Sequence, residues 1–281
     1  MNLVTYLQLF RVKHYVKNLI IFIPAFFSGN LFNLPKLVLL FPAFFAFCFM
    51  ASAIYIFNDI CDIKNDRNHP IRKNRPLTNG SIRKSYAVAS MFFCILLSVL
   101  LSVYLGNKPA FLLLFFYLVL NILYSKAFKK FPVIDIVVLA SFYWIRLYYG
   151  GLVSHIEISQ WLYLVVMSGS FYLALGKRRN ELIVSEKSRD VLKYYSVSFL
   201  THNMYVCSTL TVVFYALWTI NVKKPEIIWT TPFLIILLMY YSFIIEGKSN
   251  GDPVEVIFNN RIIIIMALLY AVCIFAFIYI L

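Results

Sequence analysis

Acidic side chains are scarce in this 281-residue chain: 12 Asp and Glu stand against 26 Lys and Arg, and charged residues of both signs make up only 14% of it. Hydrophobic residues reach 62%, aromatic residues 18% and mean hydropathy +0.79. That excludes a soluble globule, because too few polar groups remain to coat a folded surface in water. Cysteine is rare and unpatterned: Cys48, Cys61, Cys94, Cys207 and Cys273 show no paired spacing, so neither a disulfide framework nor a zinc site is indicated. Linkers, low-complexity tracts and hydrophilic domains are missing too, so one membrane domain over residues 1–281 is expected. No small-residue cleavage site accompanies the first apolar run, which is therefore expected to stay in place.

What the chain has instead is apolar runs near or above the roughly 17 to 25 residues that cross a bilayer as a helix. Nine are expected, at 19–32, 36–57, 86–105, 109–124, 132–153, 159–175, 196–218, 227–245 and 261–281, giving an all-α polytopic membrane protein. Pro24 interrupts the first. The net charge of +14 raises nucleic acid as a partner, but its distribution argues otherwise. Lys and Arg concentrate at the N-terminus and in the loops after the second, fourth, sixth and eighth spans, the pattern of cytoplasmic loops. The N-terminus and charged loops are thus expected in the cytoplasm and the C-terminus on the opposite side, with the lipid bilayer and no nucleic acid as partner.

The chemistry-bearing stretch is YIFNDICDIKNDRNHPIRKNRPLTNG, residues 55–80, where the second span meets the cytoplasm. Asp59, Asp62 and Asp66 are spaced three and four apart, on one helical face or its continuation, at a helix end that already carries partial negative charge. A divalent cation resolves that repulsion. Magnesium takes oxygen ligands, keeps several waters and joins a few carboxylates to substrate phosphate, which fits N-D-x-x-D-x-x-x-D with Asn58. Next come Arg67, Arg72, Lys73 and Arg75, suited to polyphosphate oxygens. The bland reading is a solvated loop whose acids pair with neighbouring cations. Together, metal and cations over a diphosphate stabilise charge on a leaving group. Arg146 stands inside the fifth span, eleven residues after Asp135, too far along the helix for direct pairing, so it should face a cavity or another helix.

These residues resemble the UbiA superfamily of intramembrane prenyltransferases, matched in full at Asn58, Asp59, Asp62 and Asp66 and again in NILYSKAFKK, where Tyr124 and Ser125 precede Lys129. The resemblance implies two four-helix halves plus a ninth helix around a central cavity open to the cytoplasm. A second D-x-x-x-D is expected after the sixth span, but the chain reads YLALGKRRNEL there, with Lys177, Arg178 and Glu181. Glu186 and Asp190 have four-residue spacing further on, where a surface ion-pair face explains them. The K-R-x-x-E pattern is similar to the decaprenyl-phosphate phosphoribosyltransferase branch, as are Val16, Lys17 and Asn18, the stretches Asp66 to Pro70 and Arg75 to Pro76, Asp135, Arg146, Gly150 and the GDPVEV beginning at Gly251.

That branch implies Mg²⁺-dependent transfer of 5-phosphoribose from phosphoribosyl diphosphate to a polyprenyl phosphate, at the cytoplasmic face of a bacterial plasma membrane, for cell-envelope glycan synthesis. The acceptor phosphate is already anionic, so no strong general base is required. Asp59, Asp62 and Asp66 would serve catalysis, holding metal with Asn58. Substrate contacts would come from Lys17, Asn18, Arg67, Arg72, Lys73, Arg75, Tyr124, Lys129, Asp135, Arg146, Lys177, Arg178 and Glu181. A rival is prenyl transfer to an aromatic or other small acceptor. A transporter or flippase would instead need polar residues near the bilayer middle. Polyprenyl length and oligomeric state are not encoded in spacing.

Overall fold

In the computed structural model of the chain, residues 3–67, 72–184, 190–222, 224–247 and 252–280 are described. Among them the structure is helical throughout, without a strand. The helices are α1 (Leu3–Leu9), α2 (Ile23–Phe27), α3 (Leu34–Asp66), α4 (Lys84–Tyr104), α5 (Lys108–Lys126), α6 (Ile134–Ser154), α7 (Gln160–Val184), α8 (Val197–Asn221), α9 (Thr231–Glu246), α10 (Pro253–Asn259) and α11 (Arg261–Phe275). Their predominance follows from the medium: in hydrocarbon every backbone N–H and C=O needs an internal partner, and a helix supplies one within its own segment. Side chains close several ends. Ser196 Oγ accepts the Phe199 N–H at the start of α8, Asp252 accepts the Val254 N–H at α10, and Asn260 accepts from Ile262 and Ile263 at α11.

Seven of the described helical segments are long and apolar enough to cross a membrane, beginning with 34–64 and ending with 261–280. The protein is a multi-pass membrane protein. The two other expected spans have different forms. At the expected first span, an 11-residue 3₁₀ segment, Val12–Phe22, precedes the five-residue α2, which opens with Pro24 near its N-terminus. The expected sixth span lies within the 25-residue α7, whose Ser168, Gly169 and Ser170 dilute its apolar character.

The chain forms two compact units. The first comprises residues 1–126 and 145–156, the second 127–144 and 157–281, so the division falls within α6. In the first unit, α3 carries Ala43, Ala46, Cys48, Ala51, Ser52 and Ala53 essentially without exposure. Small side chains let neighbouring backbones approach, which in a membrane replaces the hydrophobic drive as the source of helix association. Ser98 of α4 donates to the Ala46 carbonyl at 2.7 Å, joining the two helices. In the second unit, Leu175, Val191, Leu192, Leu200, Met204 and Ile245 build the core around the C-terminal half of α7.

Candidate active site

The acidic motif occupies the last two turns of α3. Seven residues separate Asp59 from Asp66, about two turns, so both carboxylates fall on one face. They are 2% and 1% exposed, and two ionised groups at that burial require compensation. Arginines brought in by the chain provide it. Arg75 Nη1 donates to Asp59 Oδ1 at 3.0 Å and to Asp66 Oδ2 at 2.5 Å, and Arg11 Nη2 makes a second ion pair with Asp59 Oδ1. Asp62 lies half-buried between them in sequence. Asn58 Oδ1 sits 2.5 Å from the hydroxyl of Ser125, the serine of the Tyr-Ser pair on α5, and Tyr124 beside it is buried.

No three His, Cys, Asp or Glu side chains among the described residues converge into a closed metal cage. Magnesium seldom uses one; it binds through one or two carboxylates, substrate phosphate and water. A single guanidinium nitrogen touches carboxylates from two turns of α3, which marks a point where two anionic oxygens share one cation. The donor set is all oxygen. Asp59, Asp66 and Asn58 therefore suit a hard divalent ion bound from one side, with Arg75 and Arg11 as neighbouring cations.

The remaining expected residues of this unit divide by position. Arg67 and Lys73 are exposed, and Lys17 is half-buried. Asn18 and Arg146 are 1% and 4% exposed and meet each other: Arg146 Nε donates to Asn18 Oδ1 at 2.8 Å, while Nη2 donates to the Tyr117 hydroxyl at 3.0 Å. The side chain of Arg72 lies outside the described residues, as do Asn68, His69 and Pro70 of the D-R-x-H-P stretch, Glu186 and Gly251.

A separate charged cluster occupies the second unit. Arg178 on α7 has no exposure, and neither has Asp135 in the first turn of α6; Nε of Arg178 donates to Asp135 Oδ2 at 2.5 Å, and Nη1 pairs with Glu181. Tyr195 completes the group by donating its hydroxyl to Asp135 Oδ1 at 2.5 Å while accepting the Val133 N–H at 2.6 Å. Val133 holds a left-handed φ of 66°, rare for a β-branched residue, and that hydrogen bond helps fix the strained turn into α6. Burial, reinforced by the Asp135 carboxylate, raises the Tyr195 pKa, so the hydroxyl keeps its proton and remains a donor. Lys177 pairs with Asp252 at 3.0 Å and is a quarter exposed, whereas Lys129 is half-buried.

Arg11, Ser125, Tyr195 and Asp252 were not singled out as site residues from sequence. Arg11 and Asp59 are 48 positions apart and Tyr195 and Asp135 are 60 apart, so no local spacing signals either pair. Ser125 lies in the Tyr-Ser pair and Asp252 in GDPVEV, where its N-cap position before Pro253 is a further local cue.

Residues 19–262 match the UbiA prenyltransferase family. The decaprenyl-phosphate phosphoribosyltransferase of Corynebacterium glutamicum is 32% identical over 96% of this chain and 85% of its own length, and that of Mycolicibacterium smegmatis is 31% identical over 84% and 79%. A solved UbiA homolog from Archaeoglobus fulgidus, bound to DMAPP and Mg²⁺, superposes with a TM-score of 0.74 at 21% identity, covering 99% of this chain and all of that one. Family match, relatives of near-full length and shared fold agree: the chain belongs to the UbiA prenyltransferase family of membrane transferases.

Proposed function

We propose that the protein transfers 5-phosphoribose from phosphoribosyl diphosphate to a polyprenyl phosphate, releasing diphosphate, in a Mg²⁺-dependent reaction at the cytoplasmic face of the membrane. The observation that carries the metal and diphosphate half is the sharing of Arg75 Nη1 between Asp59 and Asp66. The sugar half is supported by the relatives that bear the phosphoribosyltransferase name and by the part-exposed Lys177 standing where a prenyltransferase has an acid.

Bound Mg²⁺ would supply charge neutralisation at the departing diphosphate. Asp59, Asp62 and Asp66, with Asn58, would hold it there directly or through water, and Arg75, Arg11, Arg67, Arg72 and Lys73 would bind diphosphate oxygens. Arg75 then exchanges carboxylate for phosphate. Lys177, Lys17 and Lys129 serve further phosphate charge, and Tyr124 lies beside the Ser125 that orients Asn58. Arg178, between Asp135 and Glu181, holds the C-terminal half of α7 in place. Positioning and electrostatics account for the rate, since the acceptor phosphate is a nucleophile without deprotonation. Lipid-linked phosphoribose for the cell envelope is the product.

Ordinary prenyl transfer is the second reading, supported by the DMAPP-bound fold neighbour. Purified protein, labelled phosphoribosyl diphosphate, polyprenyl phosphate and Mg²⁺ separate the two. Label extracted into organic solvent, lost with chelator and with Asp62→Asn, supports phosphoribosyl transfer. Prenyl transfer to a small aromatic acceptor by the same preparation, without labelled lipid, overturns it.

A further inference from the structure

The 3₁₀ segment 12–22 is unusual on two counts. Such helices rarely exceed three or four residues, and this one runs for 11. Its first flanking residue, Arg11, holds a left-handed φ of 51°. Contacts pin the segment antiparallel to α3, along the face that carries the acidic motif. The Ser52 hydroxyl donates to the Phe10 carbonyl at 2.8 Å, so the Tyr15 hydroxyl, 2.8 Å from Ser52 Oγ, is the donor of that second bond. Asn18 Nδ2 donates to Cys48 Sγ at 3.1 Å, and Arg11 stacks over Tyr55 at 4.8 Å before reaching Asp59.

The far end is held by α6. Arg146, stacked on Phe47 and Tyr117 at 4.9 and 5.2 Å, presents Nε to Asn18. One turn on, Gly150 lets the backbone of Ile21 lie against the helix: a Cβ there would stand 2.0 Å from the Ile21 carbonyl oxygen. The only Cβ-free residue type is required at that crossing.

We propose that Asn18 and Arg146, with Ile21 seated on Gly150, form a positioning clamp that fixes the N-terminal strap so that Arg11 reaches Asp59. Asn18 and Arg146 then act through Arg11 and touch no substrate. A buried guanidinium in a membrane span is costly, and here it is retained to set the register of one segment on another.

The test uses the full-length protein in detergent, with Asn18→Leu, Arg146→Met and Arg11→Ala, singly and combined. Hydrogen exchange of residues 12–22 should rise about tenfold in both clamp variants. Affinity for inorganic diphosphate with Mg²⁺, the probe, should fall by the same factor in Asn18→Leu as in Arg11→Ala, and the double variant should lose no more than either. Asn18→Leu conserves volume and stands in if Arg146→Met fails to fold, and Asn18→Asp, which keeps the acceptor, should restore both readouts. Additive losses, or unchanged exchange in Asn18→Leu, overturn the clamp. The affinity arm rests on the diphosphate reading above. If wild-type protein ignores Mg²⁺ and diphosphate, that reading falls, and exchange alone decides the clamp.

Discussion

The two compact units each hold an arginine between two carboxylates, yet the arrangements differ in one respect. In the first unit, the side chains of Arg11 and Arg75 keep 21% and 25% exposure while contacting Asp59 and Asp66; in the second, Arg178 and Asp135 have none. A part-exposed guanidinium can leave its carboxylate for phosphate, with water completing the exchange. A fully enclosed one is held in place, because breaking its ion pairs would strand charge away from water. The same ion-pair chemistry is therefore open to water in one unit and enclosed in the other, which supports the proposed exchange with phosphate at the first.

The strongest way to break this contrast is Asp59→Asn, which should lower turnover on the order of 10²–10³-fold while leaving the fold intact, as judged by thermal melting of the purified protein. A matching loss from Glu181→Gln would erase the distinction. Next comes Arg178→Met, which removes the cation shared by Asp135 and Glu181 and should cost about 3–5 kcal/mol of stability, read as a lower melting temperature. Arg75→Ala sharpens the comparison from the other side. With its competitor gone, Mn²⁺ affinity measured by electron paramagnetic resonance should rise in ligand-free protein, while the donor KM rises about tenfold. Unchanged metal affinity would detach Arg75 from the metal site.

Within the enclosed cluster a smaller effect than that of Arg178→Met is expected at Tyr195→Phe, about 1–3 kcal/mol of stability from the lost donor to a buried carboxylate. Its pH dependence has a definite sign. Because the folded pKa lies above the ordinary tyrosine value, the contribution of Tyr195 is fully present below about pH 10 and disappears as pH climbs through the folded value. Melting curves of wild type and variant should thus converge only in strong alkali.

How much of this was legible in the sequence depended on distance along the chain. Asn58, Asp59, Asp62 and Asp66 are local, at helical spacing, and the helix that carries them was readable from apolar length alone. Their counter-ions were less so: Arg75 lies nearby and was proposed for phosphate, but Arg11 is 48 residues from Asp59 and registered only as cytoplasmic charge. Arg146 was expected to face a cavity or another helix; its partner Asn18, 128 positions away, emerges only from the fold. The first span illustrates a different limit. Apolar composition marks a membrane-embedded segment, but it does not distinguish an α-helix from a 3₁₀ segment, nor does it show that Tyr15, Asn18 and Ile21 meet Ser52, Arg146 and Gly150.

That winding also acts as a length gauge. At about 2.0 Å per residue, 11 residues in a 3₁₀ helix extend about 22 Å, against about 16 Å at the 1.5 Å rise of an α-helix. The gap is about one α-helical turn. The strap is long enough to place Arg11 at Asp59 because it is wound tightly and drawn out thin, so its reach is written in its pitch.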